Sequence, residues 1–134
     1  MTHPGRISFP LVRGGYGAVL LCAPGTAIRL SGAGPASPRA LAVTRVLGIR
    51  HLIQAALTAA APNAGVLTAG AQVDLAHAAS MLALAAASRP LRRAGLADGL
   101  IATIFAVAGR AGARTRRHAG AAMPRTPRHP AGAG

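Results

Sequence analysis

The sequence has almost no aromatic residues. Aromatic side chains make up 2% of its 134 residues, with two Phe, one Tyr and no Trp. A soluble core of this size normally takes much of its buried area from large rings, so a core built mainly of Ala, Leu and Val would be thin. Membrane helices pack through small residues that let their backbones approach closely, and the Ala and Gly content suits that arrangement.

Lys and Glu are also missing. Asp74 and Asp98 are the only acids, and 15 arginines give a formal net charge of +13. With so few carboxylates, and with none of the common catalytic or phosphate-binding motifs, the sequence argues against an enzyme. The charge predicts attraction to a polyanion, which is either anionic lipid head groups or nucleic acid.

Cysteine occurs once, as Cys22, so an internal disulfide is excluded. No Cys/His spacing of the kind that holds a structural metal is present, and we expect neither a metal nor a cofactor. The excess of Ala, Gly, Arg and Pro is also what a reading frame of a GC-rich genome yields. A spurious or untranslated reading frame therefore stays open as an alternative.

Hydropathy and the positions of Pro and Gly divide the chain into three regions. Residues 1–39 contain a marginal apolar helix at 14–28 and a Gly/Pro/Ser loop, residues 40–109 form the membrane helical region, and residues 110–134 form an Arg-rich tail that we expect to be disordered. The predicted fold class is all-α, a small transmembrane bundle of two to four membrane helices.

A helical hairpin over residues 40–88 is the predicted centre of this bundle. Its first helix should stop at Pro62, with Gly65 permitting the reversal, and its second, Val66 to Ser88, runs 23 residues with one formal charge. The last helix, 94–109, is of marginal length and is expected to lie in or near the interface, although its apolar residues leave a fourth span open.

The positions of the arginines predict an orientation. The turn of the hairpin is uncharged, whereas most arginines flank the hairpin. By the positive-inside rule the turn faces outward and the C-terminal tail is cytoplasmic. We therefore expect a multi-pass protein of the plasma membrane.

Polar side chains of the two hairpin helices fall at matched depth when the helices are reflected about the turn. An unpaired Arg or Asp at the centre of a membrane helix costs roughly 2.5–3.5 kcal/mol, so we predict an Arg50–Asp74 ion pair. The intramembrane polar cluster then consists of Arg50, His51, Gln54, Asp74 and His77.

Such a cluster has two interpretations. It either fixes helix register, in a structural or accessory membrane component, or serves a transporter or proton relay, since Asp and His exchange protons within membranes. The structural interpretation is favoured, because no second chain of acids leads away from the cluster. No catalytic residue is assigned.

Three glycines are candidates for close helix contact. Gly70 lies one helical turn from Asp74 on the same face, and Gly95 and Gly99 form a GxxxG spacing. A second copy of the chain or another membrane protein is a candidate partner for such a surface.

The basic tail is expected to contact anionic lipid head groups through Arg110, Arg114, Arg116 and Arg117. Each contributes about 1 kcal/mol near an anionic leaflet. The alternative is a basic helical protein that binds nucleic acid non-specifically. It is disfavoured because no aromatic residue is interleaved with the arginines for base stacking.

Three segments carry a resemblance when taken in order: TRVLGIRHLIQAAL at 44–57, GAQVDLAHAASMLALAA at 70–86 and RRAGL at 92–96. Together they resemble small uncharacterised multi-pass membrane proteins of actinobacteria, with an Arg-His helix, a Pro-containing turn, an Asp-x-x-His helix and an Arg-rich loop. The resemblance covers about residues 40–109 and implies a membrane location. It implies no activity and assigns no role to any residue.

Overall fold

The computed structural model describes residues 5–32 and 34–121, and every regular element in that part of the chain is a helix. In chain order the helices are α1 (Gly5–Cys22), α2 (Pro24–Leu30), α3 (Pro38–Ala60), α4 (Ala64–Ala87) and α5 (Arg92–Ala121). The prediction of an all-α helical bundle is confirmed.

Short polar side chains set the starts of the two central helices. The Ser37 hydroxyl accepts a hydrogen bond of 3.2 Å from the Ala40 amide at the start of α3. Asn63 Oδ1 accepts one of 2.9 Å from the Val66 amide at the start of α4. These caps satisfy amides that have no partner within their own helix. Asn63 therefore makes the reversal, and the expectation for Gly65 was wrong, because Gly65 lies in the first turn of α4.

The N-terminal helix is longer than expected and then breaks. The sequence predicted a helix over 14–28, but α1 begins at Gly5 and the chain bends by 104° between Cys22 and Pro24. Proline lacks an amide hydrogen and restricts the residue before it, so it ends α1 and opens α2.

The helices pack as two antiparallel pairs, α1 with α3 and α4 with α5. Glycines let the backbones touch in both pairs. A Cβ atom built on Gly48 would lie 2.7 Å from the Gly17 carbonyl oxygen, and one on Gly95 would lie 2.7 Å from that of Met81. Consecutive helices α3 and α4 touch only sparsely. The predicted hairpin is thus a chain connection between two packed pairs.

The bundle has charge inside and large aliphatic side chains outside. Most of its buried apolar residues are alanines, and Arg13 and Asp74 are 2% and 0% exposed. By contrast Leu11, Val46 and Leu100 are 66%, 64% and 61% exposed. Water-soluble bundles show the reverse distribution.

Two helices, α3 and α5, are long and apolar enough to cross a membrane, and α1 with α2 forms a third span if the bent pair is counted as one. The sequence had favoured α4 as a span and placed the last helix at the interface. In α4 the central Gln72, Asp74 and His77 lower the mean hydropathy, whereas the apolar part of α5 is uninterrupted after Asp98.

The last helix also extends further than expected. It was predicted to end at Gly109, with a disordered tail from Arg110, but α5 continues to Ala121. That part of the prediction was wrong, because Ala and Arg, which dominate this stretch, are among the best helix formers. The rest of the expected tail, residues 122–134, lies outside the described residues.

Candidate functional site

Asp74 lies at the centre of the site and joins three helices. Arg50 Nη2, on α3, donates to its Oδ1 at 2.6 Å, and Arg13 Nη2, on α1, donates to its Oδ2. Arg13 Nη1 also donates to Gln54 Oε1 at 2.6 Å. The Arg50–Asp74 pair is thus present, and Asp74, at 0% exposed, serves two guanidinium groups.

Arg13 was missing from the predicted cluster, although it is the more buried of the two arginines. Its guanidinium carbon lies 4.5 Å from the centre of the Phe105 ring and 5.1 Å from that of Phe9, which are cation–π distances. Beginning the first helix at residue 14 placed Arg13 in a polar N-terminal segment. A helix that starts at Gly5 carries it into the bundle.

An aromatic layer fills the space between the two helix pairs. Phe9 and Tyr16 of α1 meet Phe105 of α5, with ring centres 6.2 and 5.9 Å apart. These are all the aromatic residues of the chain. The His51 ring lies 5.1 Å from Tyr16 and 5.4 Å from Phe105. Small residues therefore lie at the contact within each helix pair, and the large rings lie between the two pairs.

The predicted five-residue cluster divides into three parts. Arg50, Gln54 and Asp74 share the network with Arg13, whereas His51 belongs to the aromatic layer, where its Nδ1 has no hydrogen-bond partner among the described residues. Among the described residues, His77 makes no hydrogen bond or ion pair with Asp74. Its Nε2 lies 2.8 Å from Asp98 Oδ2, which makes a second, half-buried pair between α4 and α5.

Of the three glycines predicted to allow close helix contact, two lie in one and the third does not. Gly95 and Gly99 do lie in a helix contact, the one between α5 and α4, where a Cβ on Gly99 would meet Leu82 at 3.5 Å. Gly70 does not allow close approach: its nearest neighbour would be Gln54 Nε2, at 3.9 Å. That expectation was wrong because α3 and α4 do not pack together at this level.

A cleft occupies the space that α3 and α4 leave between them. Its volume is about 220 Å³, and its lining is mostly apolar, with Arg13, Gln54 and Thr58 as the polar side chains. Gly70 forms part of its wall.

The C-terminal part of α5 lies beside the turn between α3 and α4. Arg116 Nη1 donates to the Pro62 carbonyl oxygen, and Arg117 Nη2 donates to Thr68 Oγ1 at 3.3 Å, while Arg110 and Arg114 are exposed. The turn and this part of α5 therefore share one end of the bundle. The expected arrangement, with the turn outside and these arginines inside, does not fit this geometry.

Within residues 5–32 and 34–121, no group of three His, Cys, Asp or Glu side chains is placed to hold a metal ion. Comparison with known protein families, with curated proteins and with solved structures finds no match.

Proposed function

We propose that this chain is an integral, multi-pass protein of the plasma membrane with a structural or accessory role and no enzymatic one. The observation that carries the proposal is the polarity of the bundle, which buries the charged Arg13 and Asp74 while many of its Leu, Val and Ile side chains face outward. In water both features are unfavourable. In a bilayer the aliphatic surface is favourable, and only the buried charges carry a cost.

The Arg13–Asp74–Arg50 network offsets that cost and links the two helix pairs. Arg13 and Arg50 come from the α1/α3 pair, and Asp74 comes from the α4/α5 pair. The two pairs make few direct backbone contacts. A buried ion pair that bridges such a gap fixes the depth and register of one pair against the other.

We propose that the C-terminal end of the bundle is cytoplasmic, together with the turn around Asn63. The arginines from 110 to 128 form the largest basic block of the chain, and the positive-inside rule places such a block in the cytoplasm. The opposite end holds the loop after α2, where Gly32 lies beside Arg93. It carries a smaller basic group: Arg29, Arg39, Arg89, Arg92 and Arg93.

At the cytoplasmic end we propose contact with anionic lipid head groups. Arg110 and Arg114 are exposed and free to make it, whereas Arg116 and Arg117 also bind the turn region of their own chain. A second copy of this chain or another membrane protein is the further partner that we propose. We likewise propose kinship with the actinobacterial membrane proteins that residues 40–109 resemble.

The competing function, non-specific binding of nucleic acid, finds less support. Base stacking needs exposed rings, and Phe9, Tyr16 and Phe105 pack against one another between the helices. Only phosphate contacts by arginine would remain.

Membrane fractionation of the tagged chain tests the proposal. We expect the protein to stay in the membrane pellet after washing with alkaline carbonate and after washing with about 1 M salt, where the Debye length is about 3 Å. Release by carbonate contradicts integral insertion. Release by salt alone favours an electrostatic association with lipid or nucleic acid.

A second candidate function, a proton relay, is favoured by one observation. His77 pairs with Asp98 at 2.8 Å, and His51 lies beside Tyr16 in the aromatic layer, with ring centres 5.1 Å apart. Titratable groups therefore continue beyond Asp74, which the sequence did not indicate. Proton flux into vesicles that contain the purified protein tests this function.

A further inference from the structure

The cleft between α3 and α4 is shaped like a binding site for a small molecule with an apolar body. Aliphatic side chains from both helices line most of its 220 Å³, among them Leu57, Val66, Leu67 and Val73. Its polar side chains are few, which is typical of small-molecule pockets, where a small number of polar groups fix the orientation of the ligand. The structural role proposed for the Arg13–Asp74–Arg50 network does not require this cleft.

Charge at the cleft is positive. Arg13 lines it, and the carboxylate that Arg13 binds is shared with Arg50, so two guanidinium groups share one acid. Asp98, the other acid, pairs with His77 instead. Arg13 Nε is buried without a hydrogen-bond partner among the described residues. An anion in the cleft would offset this local excess of charge.

A second donor faces the same space. Gln54 accepts from Arg13 through Oε1, which leaves its Nε2 group on the side of Gly70, 3.9 Å from where a Cβ of that glycine would lie. A guanidinium and an amide on one wall form a donor pair that suits the two oxygens of a carboxylate.

The rim of the cleft lies on the outer surface of the bundle. Leu57 and Val73, on opposite sides of the rim, are 55% and 48% exposed. Under the proposed function this surface faces the bilayer, and an apolar ligand would enter the cleft sideways from the lipid. That route of entry rests on the proposed function. Binding itself does not depend on it.

We propose that this cleft binds an amphipathic monocarboxylate, with the carboxylate at Arg13 and Gln54 and an alkyl chain against Leu57, Val66 and Val73. The small volume restricts the chain to a short one. A neutral or cationic analogue of the same length lacks the charge that Arg13 recognises.

The test uses the purified full chain in an uncharged detergent, with helix content followed by circular dichroism during heating. The probes are octanoate, 1-octanol and octylamine, which share an alkyl length and differ in charge. Octanoate near saturation should raise the melting temperature by about 3 °C or more, because a ligand of the folded state stabilises it by mass action. The alcohol and the amine should leave it unchanged.

Glycine substitutions supply the matched variants. Gly70→Val adds bulk to the wall of the cleft beside Gln54, and Gly15→Val makes the same change where a Cβ would have no neighbour within 4 Å. Octanoate should no longer stabilise the first variant and should still stabilise the second. Gly70→Ala, whose added methyl group would lie at ordinary van der Waals distance from Gln54, keeps the test usable if valine impairs folding, and it should reduce the octanoate effect.

Three outcomes overturn the proposal: no stabilisation of the folded wild type by octanoate, equal stabilisation by octanol, or an undiminished octanoate effect in both Gly70 variants. Equal stabilisation by octanol would indicate a groove for lipid chains irrespective of charge. The two proposals fail separately, because fractionation measures location and the melting series measures binding by the purified chain.

Discussion

Arg13 donates a hydrogen bond to Asp74 across the space between α1 and α4, and the two side chains are 2% and 0% exposed. Arg50 occupies the other carboxylate oxygen, at 2.6 Å. One acid therefore compensates two guanidinium groups from a different helix pair. Its loss should cost more than the loss of either arginine.

Asp74→Asn should destabilise the folded protein by about 3–5 kcal/mol, because it leaves a buried guanidinium without its counter-charge. The amount of protein in the membrane fraction and the melting temperature in detergent measure the effect. Asp98→Asn is the matched control, since Asp98 is 25% exposed and its partner is a histidine. We expect a loss of about 1 kcal/mol or less there. Equal losses in the two variants would contradict a central role for Asp74.

Double variants should distinguish the two arginines. Arg13→Gln with Asp74→Asn leaves Arg50, which is 22% exposed and can extend its long side chain toward a polar surface. Arg50→Gln with Asp74→Asn leaves Arg13 enclosed. We expect the first double variant to accumulate well above the level of Asp74→Asn, and the second to accumulate little more than Asp74→Asn. The opposite ranking would place the dominant ion pair at Arg50.

Gly48→Ala should force α1 and α3 apart. The added Cβ would lie 2.7 Å from the Gly17 carbonyl oxygen and 2.8 Å from the Leu21 amide nitrogen, so backbone must move. We expect a loss of about 1–3 kcal/mol, seen as a lower melting temperature in detergent. Gly15→Ala, in open space on α1, should be neutral or stabilising, since Ala is the better helix former by about 1 kcal/mol. A Gly48→Ala protein as stable as the control would refute this contact.

Vesicles that contain the wild-type chain should pass no more protons than protein-free vesicles, if the polar network is structural. A pH-sensitive dye trapped inside the vesicles gives the measurement. Flux above background that disappears in Asp98→Asn, in a variant that still accumulates normally, would instead assign a relay to the His77–Asp98 pair.

The Arg50–Asp74 contact was predictable because a short turn joins their helices. When two or three residues connect two helices, residues at equal distance from the turn lie at equal depth, whatever else packs around them. The all-α fold followed from composition and from runs of apolar residues in the same way.

The other contacts depend on how distant helices dock, which local pattern does not encode. Arg13 lies 61 positions from Asp74, and His77 turns to Asp98 because α4 packs closely on α5 and only sparsely on α3. Gly17 and Gly48 lie in a sequence with 17 glycines, so their spacing gave no signal. The extent of α5 was missed because the charge of its second half was weighed above its helix propensity.

Cysteine accessibility on the two candidate spans tests the central claim most directly. In a Cys22→Ser background, Ile53→Cys and Ile104→Cys place thiols at positions that are 54% and 58% exposed, and Asn63→Cys places one in the turn. With a membrane-impermeant maleimide on opened native membranes, we predict labelling at Asn63 and protection at both isoleucine positions until detergent is added. Equal labelling of all three thiols without detergent would mean that the exposed aliphatic surface faces water, and it would contradict a membrane-embedded bundle.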